Sequence, residues 1–147
     1  MGLQTGHVGL NVTNVDRSKD FYQKVFGFDV IMEGREEGRH YVFLGHGGAI
    51  VITLWQQSEG VFATDRPGLH HLSFQLDNVD AVKEYEATLK GLGVKFLYEG
   101  IVPHREGAHS GGIFFEDPDG IRLEVYTPKG LSGDNAPNPD APSCGFF

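Results

Sequence analysis

Two histidines and one glutamate stand out in this sequence, because each belongs to a stretch in which apolar and more polar residues alternate. His7 precedes Val8-Gly9-Leu10-Asn11-Val12, His71 precedes Leu72-Ser73-Phe74-Gln75-Leu76, and Glu124 lies within Ile121-Arg122-Leu123-Glu124-Val125-Tyr126. Alternation of this kind marks a β-strand, on which the parity of a residue fixes its face. His7 then shares a face with Gly9 and Asn11, His71 with Ser73 and Gln75, and Glu124 with Arg122 and Tyr126, while the apolar residues take the other side. Two imidazoles and one carboxylate on rigid strands make a facial donor set for a divalent cation, with coordination positions left open for water, dioxygen or substrate. Open positions characterise catalytic metal sites, whereas structural ones are closed. The single thiol, Cys144, leaves the holding of an ion mainly to His and carboxylate. A plainer reading of the same residues also exists. A lone His at a strand start is often a hydrogen-bonded surface residue, and Glu124 can pair with Arg122.

The same parity argument selects Asn11, Thr53, Trp55, Ser73, Arg122 and Tyr126 as residues able to line a cavity on the ligand face. Trp55 and Tyr126 could clamp an aromatic substrate or simply pack at strand ends. His104 and His109 fall in the glycine-rich connection Val102 to Gly112, where a hinged loop could offer a general acid or base and a solvated loop would do nothing. With Tyr126 they are the candidates for proton transfer. His70 has the parity opposite to His71 and is expected to pack or face solvent, His46 falls in a turn, and His40 begins a strand at the cavity rim.

The elements that must position these residues are written twice. His7 to Phe21 lies over His71 to Tyr85 without a gap at an offset of 71 − 7 = 64, with His, Asn-Val-Asp and Lys identical. Each copy passes from strand to helix. Asp16 and Asp80 are N-caps or first-turn acids, Phe21, Tyr22 and Val25 or Val82, Tyr85 and Leu89 form the apolar stripe, and Gly27 and Gly93 end the helices. The copies match again where Tyr41-Val42-Phe43-Leu44 lies over Gly112-Ile113-Phe114-Phe115, and where Thr53 lies over Glu124. Gly45-His46-Gly47-Gly48 and Asp117-Pro118-Asp119-Gly120 supply hairpin turns. Phe28 to Glu33 and Lys95 to Ile101 supply the remaining strand of each copy. The predicted fold is therefore α+β, with two tandem βαβββ modules at about residues 5–57 and 69–128 forming a curved eight-stranded mixed sheet around a cavity, in one domain over 1–128.

Bulk properties narrow the partners. The chain has 147 residues with a net charge of −8, which repels phosphate backbones and anionic bilayers, so neither nucleic acid nor membrane is an expected partner. No apolar run reaches the ~18 residues of a membrane span, and the first residues lack the pattern of a secretion signal, so a cytoplasmic protein is expected.

These residues carry a resemblance. His7-Val8-Gly9-Leu10-Asn11-Val12, Ser18-x-x-Phe21-Tyr22, Phe26-Gly27-Phe28, Gly68-Leu69-His70-His71-Leu72-Ser73-Phe74 and Phe115-x-Asp117-Pro118-Asp119-Gly120-x-x-Leu123-Glu124-Val125-Tyr126 resemble the vicinal oxygen chelate superfamily of glyoxalases, bleomycin resistance proteins and extradiol dioxygenases. The resemblance covers about residues 5 to 128. It implies metal ligands at His7, His71 and Glu124, a small oxygenated or aromatic substrate bound to the metal, and a homodimer, since the superfamily sometimes completes its sites across a dimer. One departure matters. Glyoxalase I takes a further glutamate ligand from the position that is Thr53 here, and a lyase that relies on two carboxylates is thereby disfavoured. The remaining set resembles that of extradiol dioxygenases, which Fe(II) suits, and of fosfomycin-modifying thiol transferases, which Mn(II) suits; Zn, Ni or Co can also fill such a site. The expectation is a metal-dependent enzyme, foremost of dioxygenase type. The alternatives are a lyase or thiol transferase of the same superfamily, or a non-catalytic binding protein that sequesters an antibiotic or metabolite.

From residue 129 onward Gly, Pro, Asn, Asp and Ser dominate, and an extended tail is expected over 129–147. It ends in Cys144-Gly145-Phe146-Phe147, two aromatics that invite docking into an apolar groove.

Overall fold

A computed structural model describes residues 2–147, which form two compact units that divide between Phe62 and Ala63. Each unit is one βαβββ module. In the first, β1 (Val8–Val12) leads into α1 (Val15–Phe26), followed by β2 (Asp29–Glu36), β3 (Arg39–His46) and β4 (Ala49–Gln56). The strands lie in the order β1-β4-β3-β2, with β1 parallel to β4 and the other pairs antiparallel. In the second unit, β5 (Leu72–Gln75), α2 (Val79–Gly91), β6 (Val102–Pro103), β7 (Gly111–Glu116) and β8 (Arg122–Thr127) repeat the arrangement in the order β5-β8-β7-β6. The predicted strands thus come as two four-stranded mixed sheets, one to a module. No helix among the described residues is long and apolar enough to cross a membrane.

Helix ends follow local chemistry. Asn14 and Asn78, one residue outside each helix, accept hydrogen bonds from the Arg17 and Ala81 amides at 3.0 and 2.9 Å, and Asp16 and Asp80 occupy the first turn. The caps are therefore the asparagines, and the aspartates serve the positive end of the helix dipole. Gly27 closes α1 in the left-handed conformation. At the end of α2 the amide of Gly93 reaches the Lys90 carbonyl and that of Val94 reaches Leu89, the paired bonds of a Schellman turn around a left-handed glycine.

Each helix covers one face of its own sheet. Val15, Tyr22, Val25 and Phe26 of α1 are buried, as are Leu10, Val12, Val42, Leu44, Ile52 and Leu54 of the first sheet. Val82 and Leu89 are buried in α2, and Ile113, Phe115, Leu123 and Val125 in the second sheet. In the second unit the register places Leu72 beside Leu123 and Phe74 beside Val125 on the helix side, which turns Ser73, Glu124 and Phe114 together to the other. The Asp117–Gly120 turn fixes that register. The Asp117 carboxylate accepts from the Asp119 and Ile121 amides at 2.9 Å, and Gly120 is left-handed.

One predicted strand is shorter than expected. Lys95 to Leu97 pair with β7 through the bonds Glu116 N to Lys95 O and Leu97 N to Phe114 O, but the chain then turns at Gly100, and the strand that pairs beyond it is only Val102–Pro103. Proline has no amide to continue the ladder.

Candidate functional site

In the second unit Glu124 is buried within β8, at 3% exposure, and its two carboxylate oxygens have different partners. Oε1 faces His71 Nε2 at 3.8 Å, and Oε2 meets His104 Nε2 at 2.5 Å. Donors 2.0–2.2 Å from a common ion can stand no further apart than about 4 Å, so the His71 nitrogen and Oε1 are spaced to share one. The second imidazole nitrogen of His71 lies 2.8 Å from His70 Nδ1, one ring donating and the other accepting, which leaves Nε2 as the nitrogen aimed at Glu124. His104 is fixed in turn, by Ser110 Oγ at 2.9 Å from its Nδ1 and by packing on Tyr126 at 5.0 Å between ring centroids. Burial, with the charges of His70, Arg122 and His104 adding to it, holds the His71 pKa below its ordinary value against the opposing pull of Glu124. The ring is thereby kept neutral, the form in which imidazole ligates a metal.

The pair fits a divalent cation by donor type and spacing, although within the second unit no third His, Cys, Asp or Glu is placed to join it around one ion. His7, the counterpart of His71 in the repeat, is an exposed residue immediately before β1 in the first unit. On its face of that sheet, Gly9 stands beside Thr53 and Asn11 beside Trp55. Thr53 is buried and accepts a 2.9 Å hydrogen bond from the Trp55 indole, and Asn11 accepts from the Gln57 amide at 3.0 Å. Trp55 is walled by Tyr41 at 5.4 Å and Phe43 at 5.5 Å, and with His40 and Gln57 it lines a cavity of about 150 Å³.

The remaining predicted residues of the second unit separate by role. Ser73 lies beside Glu124 and is exposed, Tyr126 donates to Gln75 at 2.8 Å, and Arg122 donates to the His70 carbonyl at 3.0 Å. His109 hydrogen-bonds the Leu131 carbonyl at 2.8 Å, a fastening of the C-terminal segment; in the first unit His46, expected in the turn, is instead the last residue of β3 and packs on Phe28. Sequence reasoning gave His104 only as an acid or base in a loop and His70 as a bystander. The structure makes each the immediate neighbour of a candidate ligand. The adjacency of His70 and His71 was a usable signal, whereas the meeting of His104 with Glu124 depends on the path of a loop.

The C-terminal segment also enters the site, since Phe146 lies against His71 and Arg122. Cys144 precedes it, and its thiol is pushed up by burial and by the Glu124 carboxylate, so it is held as the weakly nucleophilic thiol.

Comparison with known proteins identifies the family and the fold. The chain is 32% identical over 137 residues to the protein YaeR of Escherichia coli, covering 86% of this chain and 98% of that one. It is 26% identical over 142 residues to a trivalent organoarsenical cleaving enzyme of a Bacillus species, covering 97% and 83%. The fold is shared with the fosfomycin resistance protein FosX of Listeria monocytogenes, solved in complex with Mn(II) and sulfate, at a TM-score of 0.63 and 24% identity over 90% of this chain and 98% of that one. Residues 4–125 match the Glyoxalase/Bleomycin resistance protein/Dioxygenase superfamily. With its duplicated βαβββ module and a His–Glu pair on the face away from the helix, this chain is a member of that superfamily.

Proposed function

We propose that the protein is a metal-dependent enzyme of dioxygenase type, acting on a small oxygenated or aromatic molecule, with His7, His71 and Glu124 as the metal ligands. The observation that carries this reading is the pair formed by His71 Nε2 and Glu124 Oε1 at 3.8 Å, each member oriented by a further imidazole on its far side. The third nitrogen is assigned to His7 on the sequence repeat. When bound, a divalent ion supplies Lewis acidity and open coordination positions for the oxygens of a substrate, and Fe(II) adds the capacity for dioxygen chemistry. Mn(II), as found in FosX, suits the same donors. The protein's own contribution is to hold one carboxylate oxygen and one neutral imidazole nitrogen at a fixed separation. Thr53, already engaged by Trp55, offers no second carboxylate, and this is why a proton-shuttling lyase is not the leading reading.

The test is oxygen uptake after anaerobic loading with Fe(II), across a panel of catechols. The expected result is substrate-dependent uptake that is lost in Glu124→Gln and His71→Ala, each of which removes a ligand. Binding of catechols without uptake by metal-loaded protein would instead identify a sequestering protein and overturn the proposal.

A further inference from the structure

The face that carries His71 and Glu124 is partly filled by the chain itself. The ring of Phe146 lies parallel to Tyr98, with centroids 5.8 Å apart and planes 10° from parallel, and meets Phe114 edge-on at 5.6 Å. The guanidinium carbon of Arg122 stands 4.5 Å from the ring centroid, and the His71 and His70 imidazoles lie at 6.0 and 5.8 Å. Phe114 is the cross-strand neighbour of Glu124, and Arg122 is two residues from it on the same strand. A stacking partner, an edge partner and a cation make a slot suited to a flat aromatic ring, because each exploits the quadrupole of a π-system. A saturated group of the same size would gain only contact.

The segment that delivers Phe146 is held unevenly. As far as Ser143 it is fastened to the rest of the unit. Leu131 N bonds His109 O, Gly107 N bonds Gly133 O, and the buried Ser143 donates from its amide to His104 O and from its hydroxyl to Pro103 O while accepting from Tyr98. Beyond Ser143 the backbone bonds are local, Gly145 N to Pro142 O and Phe146 N to Ser143 O at 3.3 Å. Phe146 itself sits in the left-handed region at φ 57°, which a side chain disfavours, and Phe147 is 86% exposed. The ring is thus the tie of a short arm hinged just after a firm anchor.

We infer that the Tyr98–Phe114–Arg122 slot is the ring subsite of this centre and that Phe146 is its internal occupant, which an aromatic ligand displaces by swinging residues 144–147 about Ser143. The inference rests on the preceding functional reading for its setting beside the metal ligands, and it adds the substrate class, a planar aromatic ring. The docked arm lowers apparent affinity by the fraction of time the slot is free, so an arm docked nine-tenths of the time costs a ligand about tenfold.

Calorimetric titration of the protein with catechol, and with cis-1,2-cyclohexanediol as the saturated counterpart, tests this. Wild type is compared with Phe146→Ala and with a chain ended at Ser143, which keeps every anchoring bond, each as purified and after chelator treatment. Both variants should bind catechol about tenfold more tightly than wild type, with no such gain for the diol. Unchanged or weaker catechol binding would show Phe146 to be a bystander or a wall of the pocket, and an equal gain for the diol would show that the slot does not select rings; either overturns the inference. The variant-to-wild-type ratio is defined in the chelated protein too. A tenfold ratio in chelated protein that as purified held no metal and regains none on incubation with Fe(II) or Mn(II) would leave the ring subsite standing while the metal reading fails.

Discussion

Glu124 divides its carboxylate between two imidazoles, and this division is what makes the site directional. His104, 2.5 Å from Oε2, leaves Oε1 as the oxygen that faces His71. Partners of this kind typically contribute 10- to 100-fold to metal affinity by fixing the orientation of the ligand they touch. His104→Ala should accordingly weaken Mn(II) binding by about tenfold or more, measured by competition with a chelating dye, while His104→Gln, which keeps a donor near Oε2, should lose less. Equal affinity in all three proteins would mean that His104 is structural only. Strand parity singles out His7, His71 and Glu124 in the sequence, since an alternating run fixes the face of every residue in it, and of the three the structure sets His71 and Glu124 face to face within the second unit. The His104–Glu124 contact was not legible as a pair, because it joins residues 20 positions apart through a glycine-rich loop whose course no periodicity encodes. The same holds for Ser110 behind His104.

Among the elements, α1 and β2 are tied by charge as well as by packing. Lys19 on the helix meets Glu33 on the strand at 3.0 Å, and Arg35 bridges Glu33 at 3.0 Å and Asp16 at 2.6 Å. The hydrogen bond from Lys19, assisted by its charge and by Arg35, holds the Glu33 carboxyl below its ordinary value of 4.5. A carboxyl lowered in the folded state contributes stability that is present above its unfolded value and disappears as pH falls through the folded one. In a carboxylate-resolved NMR titration Glu33 should therefore titrate below 4.5 and move upward in Lys19→Met. An unmoved midpoint in that variant would show that the pair is not formed in solution. The helices themselves were legible from the doubled Asn-Val-Asp, although the cap proved to be the asparagine and not the aspartate after it. The irregular strand after α2 was not, because Gly100 and Pro103 interrupt a ladder that the apolar pattern from Lys95 to Ile101 implies.

Across the whole molecule, duplication was the most readable feature. A constant offset from His7 to Tyr85 demands two copies of one module, and each unit shows the same strand order and the same parallel pairing of first and last strands. What duplication cannot convey is anything present in one copy alone. The C-terminal segment has no counterpart in the first module, and its polar composition suggested an extended tail; its attachment through Ser143 and the docking of Phe146 arise from single residues matched to a particular groove. The proposed chemistry requires one divalent ion, for which His7, His71 and Glu124 are the proposed ligands. Metal analysis by mass spectrometry of protein purified without chelator and without a nickel affinity step tests it most directly. About one equivalent of Fe, Mn or another divalent metal per chain is the predicted result, falling by most of that amount in Glu124→Gln and in His7→Ala. Less than about a tenth of an equivalent in the wild-type protein, with none regained on incubation with Fe(II) or Mn(II), would contradict it.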